Sequence, residues 1–519
     1  MTEFDLPKQL ALFIISTILA GLTIRLAIPL AHISGILDRP GEHKQHKHLT
    51  PFVGGTGIFV SLLAALPLLG YLYPEQSVKW LGLGISSSII FIMGLIDDII
   101  YLHFKTRLVI QALSALIIVL VSEVILIDIG NLPFGEILAL PGIAATFTIF
   151  AIIGSINAFN MIDGIDGLSG SVSLTSLLLL GIVALATGHQ SSLIIIIALI
   201  GGVVGFLFFN LRRPLQPRAK VFLGDNGSML LGLLITWLLI DLSQGSSRAM
   251  TPVTALWLFS VPLMDTISIM LRRIWQHKSP FKPDRNHFHH ILLDAGYRVN
   301  DAVFTITSVQ LLFGLTGLAG LYLGIHEQVM LLAFLALFFG YFYLTLYPWH
   351  LITALRYLHT FRGLIPTESR GFFLGSYTAE EAKNIVHMIS QELRPSLDSL
   401  IHVIKNKTSA NDTEKYAVIV NIRLLDTDTK TMKNEIGSFI ASAQKHINER
   451  CHIQLRPFIE RNPQNDRRKL SERDNSYGGR RLADSRKDNQ KLLIFEAIYD
   501  QDSIAKQNST DNQPNKENS

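Results

Sequence analysis

The chain has 519 residues, 49% of them hydrophobic, with a mean hydropathy of +0.35 and a formal net charge of +4. That apolar content is high for a soluble protein and diluted for one wholly in the membrane, and the single cysteine, Cys451, excludes an internal disulfide and fits a reducing compartment. Apolar runs fill the chain to about Trp349 and polar residues dominate after it, which predicts a membrane domain over 1–349 followed by a cytosolic extension.

The first segment, MTEFDLPKQLALFIISTILAGLTI, sets Glu3 and Asp5 against Lys8 and has no compact small-residue cleavage site, so it predicts an uncleaved first span. Crossing the hydrocarbon core takes roughly 17 to 25 apolar residues. Such runs fall near 9–31, 52–73, 80–100, 107–123, 140–159, 171–188, 191–210, 227–242, 251–271, 301–325 and 328–348. The fold class expected is an all-α polytopic membrane protein of about eleven transmembrane helices. The loops after spans one, three, five, seven and nine carry the cations, among them Arg39, Lys44, Lys105, Arg107, Arg212, Arg213, Arg272 and Arg285, whereas the opposite set holds only Lys8, Lys79 and Arg248. Cationic loops stay inside, which predicts an outside N-terminus and a cytoplasmic tail.

Five polar segments then fall on the cytoplasmic face. The first loop crowds His43, Lys44, His46, Lys47 and His48 against Pro51 and Gly54-Gly55; these cations suit either a diphosphate or anionic lipid headgroups. Asp97 and Asp98 close the third span, and adjacent acids at an apolar boundary repel unless a cation or a proton intervenes. A solvated helix end is the plainer reading of that pair. In NAFNMIDGIDGLSG, Asp163 and Asp166 are three apart and would share a face on a helical turn, with Asn157 and Asn160 adding amide groups. Gly164 and Gly167 leave room for phosphates. Hard oxygen ligands without a nearby thiol favour Mg2+ or Mn2+ over zinc. FLGDNGSMLLG places Asp225 at the start of an apolar span, as a cap or as a ligand at a helix N-terminus. In DRNHFHH, Arg285, His287, His289 and His290 lack a zinc-type spacing and read as donors to a sugar phosphate.

After Trp349, YAVIVNIRLL (Tyr416 to Leu425) has a strand pattern and Lys433 to Arg450 that of an amphipathic helix, so residues 350–460 are expected to include a small α/β domain. Residues 461–519 lack periodicity and read as mostly disordered.

Taken in order, these segments resemble the polyprenyl-phosphate N-acetylhexosamine-1-phosphate transferases over about residues 9 to 348. The motifs that carry the resemblance are Asp38, Pro40, Lys44, His46, Pro51, Gly54 and Gly55, the span-ending Asp-Asp, the NxxNxxDGIDGL block, the FxGDxGS block and the histidine motif. His43 stands where the family usually has arginine. The interrupted histidine motif, with Phe288 inside it, looks like the branch using undecaprenyl phosphate and UDP-N-acetylglucosamine rather than the muramoyl-pentapeptide branch.

The resemblance implies transfer of a sugar 1-phosphate from the UDP-sugar to undecaprenyl phosphate in a bacterial inner membrane, releasing UMP, with Mg2+ as cofactor and Mn2+ as a substitute. By analogy Asn160 and Asp225 bind the metal, Asp97 or Asp98 assists the lipid phosphate, and Asp163 and Asp166 organise the nucleotide end. Arg285, His287, His289 and His290 would hold the sugar or diphosphate, with Lys44, His46 and Asn157 also binding substrate. The product would start a surface polysaccharide such as O-antigen. No nucleic-acid partner is expected, and a homodimer is compatible with the sequence. The competing class is a transporter, but such sites lie near the bilayer midplane on repeated, broken helices; here the acids cluster at span ends on one face and no repeat is visible.

Overall fold

The computed structural model describes residues 5–38, 50–130, 141–216, 218–277, 287–295 and 297–346, with positions 351, 354, 355 and 358 and five strands between 369 and 499. Two compact units are present: Met1–Ile291 with Val299–Leu351, and Leu292–Arg298 with Ile352–Ser519.

The helices, in chain order, are α1 (Leu6–Ser34), α2 (Gly54–Leu72), α3 (Ser77–Ile100), α4 (Phe104–Leu120), α5 (Pro141–Ile162), α6 (Leu168–Thr187), α7 (Gln190–Asn210), α8 (Gly224–Ser243), α9 (Pro252–Leu258), α10 (Ser260–Trp275), α11 (Phe288–Asp294), α12 (Val299–Tyr322) and α13 (Glu327–Leu346). Among the described residues nine helices are long and apolar enough to cross a membrane. The pair α9 and α10, bent by 84°, makes a tenth, and α4, with 17 residues, lies at the lower limit of length for an eleventh. The protein is a multi-pass membrane protein with an all-α membrane domain.

Two spans differ from the pattern read in the sequence. The fourth stops at Leu120 rather than near 123, because the chain turns out of helix before Glu123, whose φ is 54°. The ninth is broken at Phe259, ahead of Pro262, where the freed backbone groups need new partners. Gln310 of α12 supplies them: its Oε1 accepts from Val261 N at 3.0 Å and its Nε2 donates to Leu258 O at 2.7 Å.

Helix α8 is the centre of the bundle. It packs against α2, α3, α5 and α6, and all its residues are buried except Asp225 and Asp241. A helix apolar on every side can be stable only when surrounded. By contrast α1 leaves Leu10, Ile14, Ile18 and Leu22 exposed, an apolar face for lipid. At the end of α8 that bears Asp241, Lys79 pairs with that acid and lies 5.2 Å from the ring centroids of both Trp80 and Trp237. Arg248 joins Asp128 (2.7 Å) to Glu327 (3.4 Å).

Ahead of α2 two short strands, β1 (Leu37–Asp38) and β2 (Thr50–Pro51), pair antiparallel. In the second unit five strands form one sheet in the order β4-β5-β3-β7-β6: β3 (Ser369–Tyr377), β4 (Leu397–Asn406), β5 (Lys415–Leu424), β6 (Cys451–Leu455) and β7 (Phe495–Tyr499). All pairings are antiparallel except β3 with β7. The strand expected from YAVIVNIRLL is β5; the helix expected over Lys433 to Arg450 lies outside the described residues. β7 comes from within the segment read as disordered, where FEAIY supplies a short apolar alternation that pairs with β3 and β6.

Candidate active site

Helix α3 ends in the adjacent acids, and the two carboxylates diverge. Asp97 accepts from Arg107 Nη1 at 2.8 Å and Leu102 N at 2.6 Å. Asp98 reaches across to the first turn of α8, where its Oδ1 accepts from Asp225 N at 2.9 Å and its Oδ2 from Asn226 N at 3.3 Å and Asn226 Nδ2 at 2.6 Å. Asp98 therefore caps α8 from another helix, satisfying amides that have no partner within the first turn. This contact needs close backbones. A Cβ on Gly94 would lie 2.4 Å from Asn226 Cα, so only glycine lets α3 sit against the start of α8.

Asp225 follows Gly224, whose φ of 77° lets the chain turn into the helix. Its Oδ1 accepts from Asn160 Nδ2 at 2.7 Å, its Oδ2 lies 3.7 Å from Arg107 Nη1, and Asp97 and Asp98 are its charged neighbours. Asn160 also donates to Ser228 Oγ at 3.1 Å. Asp97, Asp98, Asp225 and Asn160 thus meet at one end of the bundle, with Arg107 the cation between Asp97 and Asp225.

The shared helical face expected for Asp163 and Asp166 does not form, because α5 ends at Ile162 and Gly167 adopts a φ of 85°. Asp166 turns to Arg212 Nε (2.6 Å) and Ala219 N (3.4 Å), and Asn210 Oδ1 accepts from Gly167 N at 2.6 Å. These bonds pin the loop to the end of α7. Asp163 is half-buried and has no hydrogen-bond or ion-pair partner among the described residues. Burial, and then the charges of Asp98 and Asp166, push its carboxyl up to about 8. Asn157 points elsewhere, donating to Gln111 Oε1 at 2.8 Å.

The histidine motif closes over the same loop. His289 is buried, and a Cβ on Gly164 would come within 2.2 Å of its Nε2. Neither of its ring nitrogens has a hydrogen-bond partner among the described residues. Burial, followed by the charges of His290 and His287, holds its pKa well below the usual histidine range. His287 stacks on it with ring centroids 5.6 Å apart and 10° between planes, and His290 is 4.2 Å away by the same measure. Lys44, His46 and Arg285 lie outside the described residues.

A model of glycosyl transferase family 4 matches residues 80–243, which contain all the aspartates and asparagines above. A relative from Haemophilus influenzae, named undecaprenyl-phosphate alpha-N-acetylglucosaminyl 1-phosphate transferase, is 36% identical over 338 residues, covering 65% of this chain and 94% of the relative. The chain belongs to this family. Relatives of the same name are 34% identical in Salmonella typhi over 345 residues (66% of this chain, 92% of the relative) and in Escherichia coli K12 over 316 residues (61% and 85%). This member of glycosyl transferase family 4 is a sugar-phosphate transferase of the polyprenyl-phosphate N-acetylhexosamine-1-phosphate class, built into a membrane.

Several residues that organise this transferase's site were not singled out by sequence reasoning. Arg107 entered only as a loop cation, although it joins Asp97 to Asp225. Asn226 and Gln111 carry no charge signal in apolar helices. Asp265 did offer one, an acid inside the apolar run VPLMDTISIM. Among the described residues no three His, Cys, Asp or Glu side chains form a closed metal cage. The donor set still suits a hard divalent cation: Asp225, Asp98 and Asn160 present oxygen-bearing groups with no thiolate, and Asp225 has two like-charged neighbours.

Proposed function

We propose that this chain transfers N-acetylglucosamine 1-phosphate from UDP-N-acetylglucosamine to undecaprenyl phosphate, giving undecaprenyl-diphosphate-N-acetylglucosamine and UMP. A lipid phosphate oxygen forms a bond to the β phosphorus while the bond from that phosphorus to the bridging oxygen breaks, and that oxygen leaves with the electron pair as part of UMP. The reaction takes place at the cytoplasmic face of a bacterial inner membrane and starts a surface polysaccharide such as O-antigen. The observation that carries this reading is the meeting of Asp97, Asp98, Asp225 and Asn160 beside the Asp163 loop and His289, with Arg107 between two of the acids. The names of the relatives support the choice of lipid and sugar.

Two anionic substrates meet in the reaction, so their charge must be offset where the new bond forms. Mg2+, or Mn2+ in its place, would be held by Asp225 and Asn160 and would supply neutralisation of the diphosphate and the departing UMP. Asp98, fixed by three donors, keeps the N-terminus of α8 in register with α3. Asp163 faces the nucleotide end, His289 and His290 donate to the sugar diphosphate together with Arg285, Lys44 and His46, and His287 faces the sugar. Asp166, tied to Arg212, shapes the loop.

Purified full-length protein should release UMP only when undecaprenyl phosphate, UDP-N-acetylglucosamine and Mg2+ are all present. UDP-N-acetylgalactosamine and UDP-N-acetylmuramoyl-pentapeptide, run beside it, should be poor donors. Turnover with the pentapeptide alone would reassign the sugar, and no UMP from any UDP-N-acetylhexosamine would refute the reaction.

A further inference from the structure

Asp265 lies on α10 within an apolar stretch, and it is 4% exposed. A carboxylate buried there is costly unless donors surround it. Three do, from two parts of the chain. His287 Nδ1 lies 2.8 Å from Asp265 Oδ2, Phe288 N donates to Oδ1 at 3.0 Å, and Tyr341 Oη of α13 donates to the same Oδ1 at 2.7 Å. Phe288 and Tyr341 also meet edge to face, ring centroids 5.8 Å apart. The acid thus receives the backbone at the start of α11, the first histidine of the motif and a hydroxyl from the last membrane helix.

This geometry dictates the state of the His287 ring. A carboxylate oxygen accepts, so the proton sits on Nδ1, and Nε2 on the far side of the ring is left without a partner among the described residues. The ring plane set by that bond lies nearly parallel to His289, whose own nitrogens have no partner among the described residues and whose edge faces Gly164 of the aspartate loop. Buried polar atoms without partners are rare, and a ligand is one of the few reasons to keep them. From Tyr341 through Asp265 and His287 to His289, one chain of contacts runs from α13 to the loop bearing Asp163.

We propose that Asp265 and Tyr341 are positioning residues for the transfer: they fix the tautomer and plane of His287, so that its Nε2, an acceptor in that tautomer, and the stacked His289 present to the sugar of the UDP-sugar. The inference rests on the proposed reaction at this site. It extends that reaction to a membrane-helix acid outside the histidine motif and to the last span.

The test is a double-mutant cycle on the full chain, with UMP release as the readout. His287→Gln and Asp265→Asn should each lower kcat by about 10- to 100-fold, the scale of a misplaced group, with KM for UDP-N-acetylglucosamine moving less than about threefold. Asp265→Asn added to His287→Gln should cost less than about a further threefold, because the acid then has no ring to position. Tyr341→Phe removes only one of the three donors, so it tests the idea even if Asp265→Asn does not fold, and it should show the same loss of effect in the His287→Gln background. Losses that multiply, or Asp265→Asn at wild-type kcat, would overturn the inference. If wild-type protein released no UMP, the reaction would be wrong and the same cycle would be read on the unfolding temperature. Non-additive shifts there would support the coupling of Asp265 to His287, and additive shifts would overturn it.

Discussion

Asp225 and Asp241 stand on the same buried helix, sixteen residues and therefore about 24 Å apart, in opposite surroundings. Asp241 has Lys79 beside it, Ser192 Oγ donating at 2.7 Å and two tryptophan rings near the lysine. Asp128 and Glu327, at that same end, share Arg248. Asp225 instead shares Arg107 with Asp97 and has Asp98 and Asn160 as its other neighbours, while Asp163, which feels Asp98, has no partner among the described residues. At one end each of these three acids has a cation beside it. The other concentrates like charge, which a folded protein retains at a cost and which a cation or an anion-bearing metal complex can relieve.

Substitutions at the two ends should therefore separate activity from stability. The largest effect expected is Asp225→Asn, which should lower UMP release by about 10³-fold or more and leave the unfolding temperature in the absence of Mg2+ unchanged or raised, since it removes repulsion. Lys79→Met should do the reverse. It strands Asp241 in a largely buried position, costing about 3–5 kcal/mol of stability, while the protein that remains folded keeps its specific activity. Equal loss of activity in both variants would erase the contrast between the ends.

A third effect is a slope. The Asp163 carboxyl, pushed up to about 8 from an ordinary value of 3.8, keeps a proton in the folded state that the unfolded chain has already lost. Without divalent cations, stability contributed at this position is present below the lower value and is lost as pH rises towards 8, so the unfolding temperature should fall between pH 6 and 8 and level off above it. Asp163→Asn should flatten that fall, and Mg2+ should reduce it in the wild type. The smallest effect belongs to Arg248→Gln: its ion pairs are partly exposed, so about 0–1 kcal/mol is expected with no change in kcat.

Much of this contrast was legible in the sequence, for reasons that differ by residue. The spans follow from apolar runs, and the gathering of the aspartates at one end follows from the alternation of cationic loops. The bonds within the cluster could not be read. Adjacent Asp97 and Asp98 look alike in sequence, yet one meets Arg107 and the other the first turn of α8, because that division depends on the close approach allowed at Gly94. Asp163 and Asp166 had the spacing of a helical face, and Gly164 and Gly167 were read as room for phosphate rather than as the end of the helix. Asp265 announced itself as an acid in an apolar run, but its partners Tyr341 and His287 lie 76 and 22 residues away and no local pattern joins them.

The central claim is that the Asp225 end is completed by a divalent cation. Mn2+ added to the full-length protein, with the free ion followed by electron paramagnetic resonance, tests it most directly. Wild-type protein should take up Mn2+ saturably, more tightly at pH 8.5 than at pH 6.5 and with displacement by Mg2+, and Asp225→Asn should lose that uptake while Asp241→Asn keeps it. Equal uptake by wild type and Asp225→Asn, or none by either, would contradict the account.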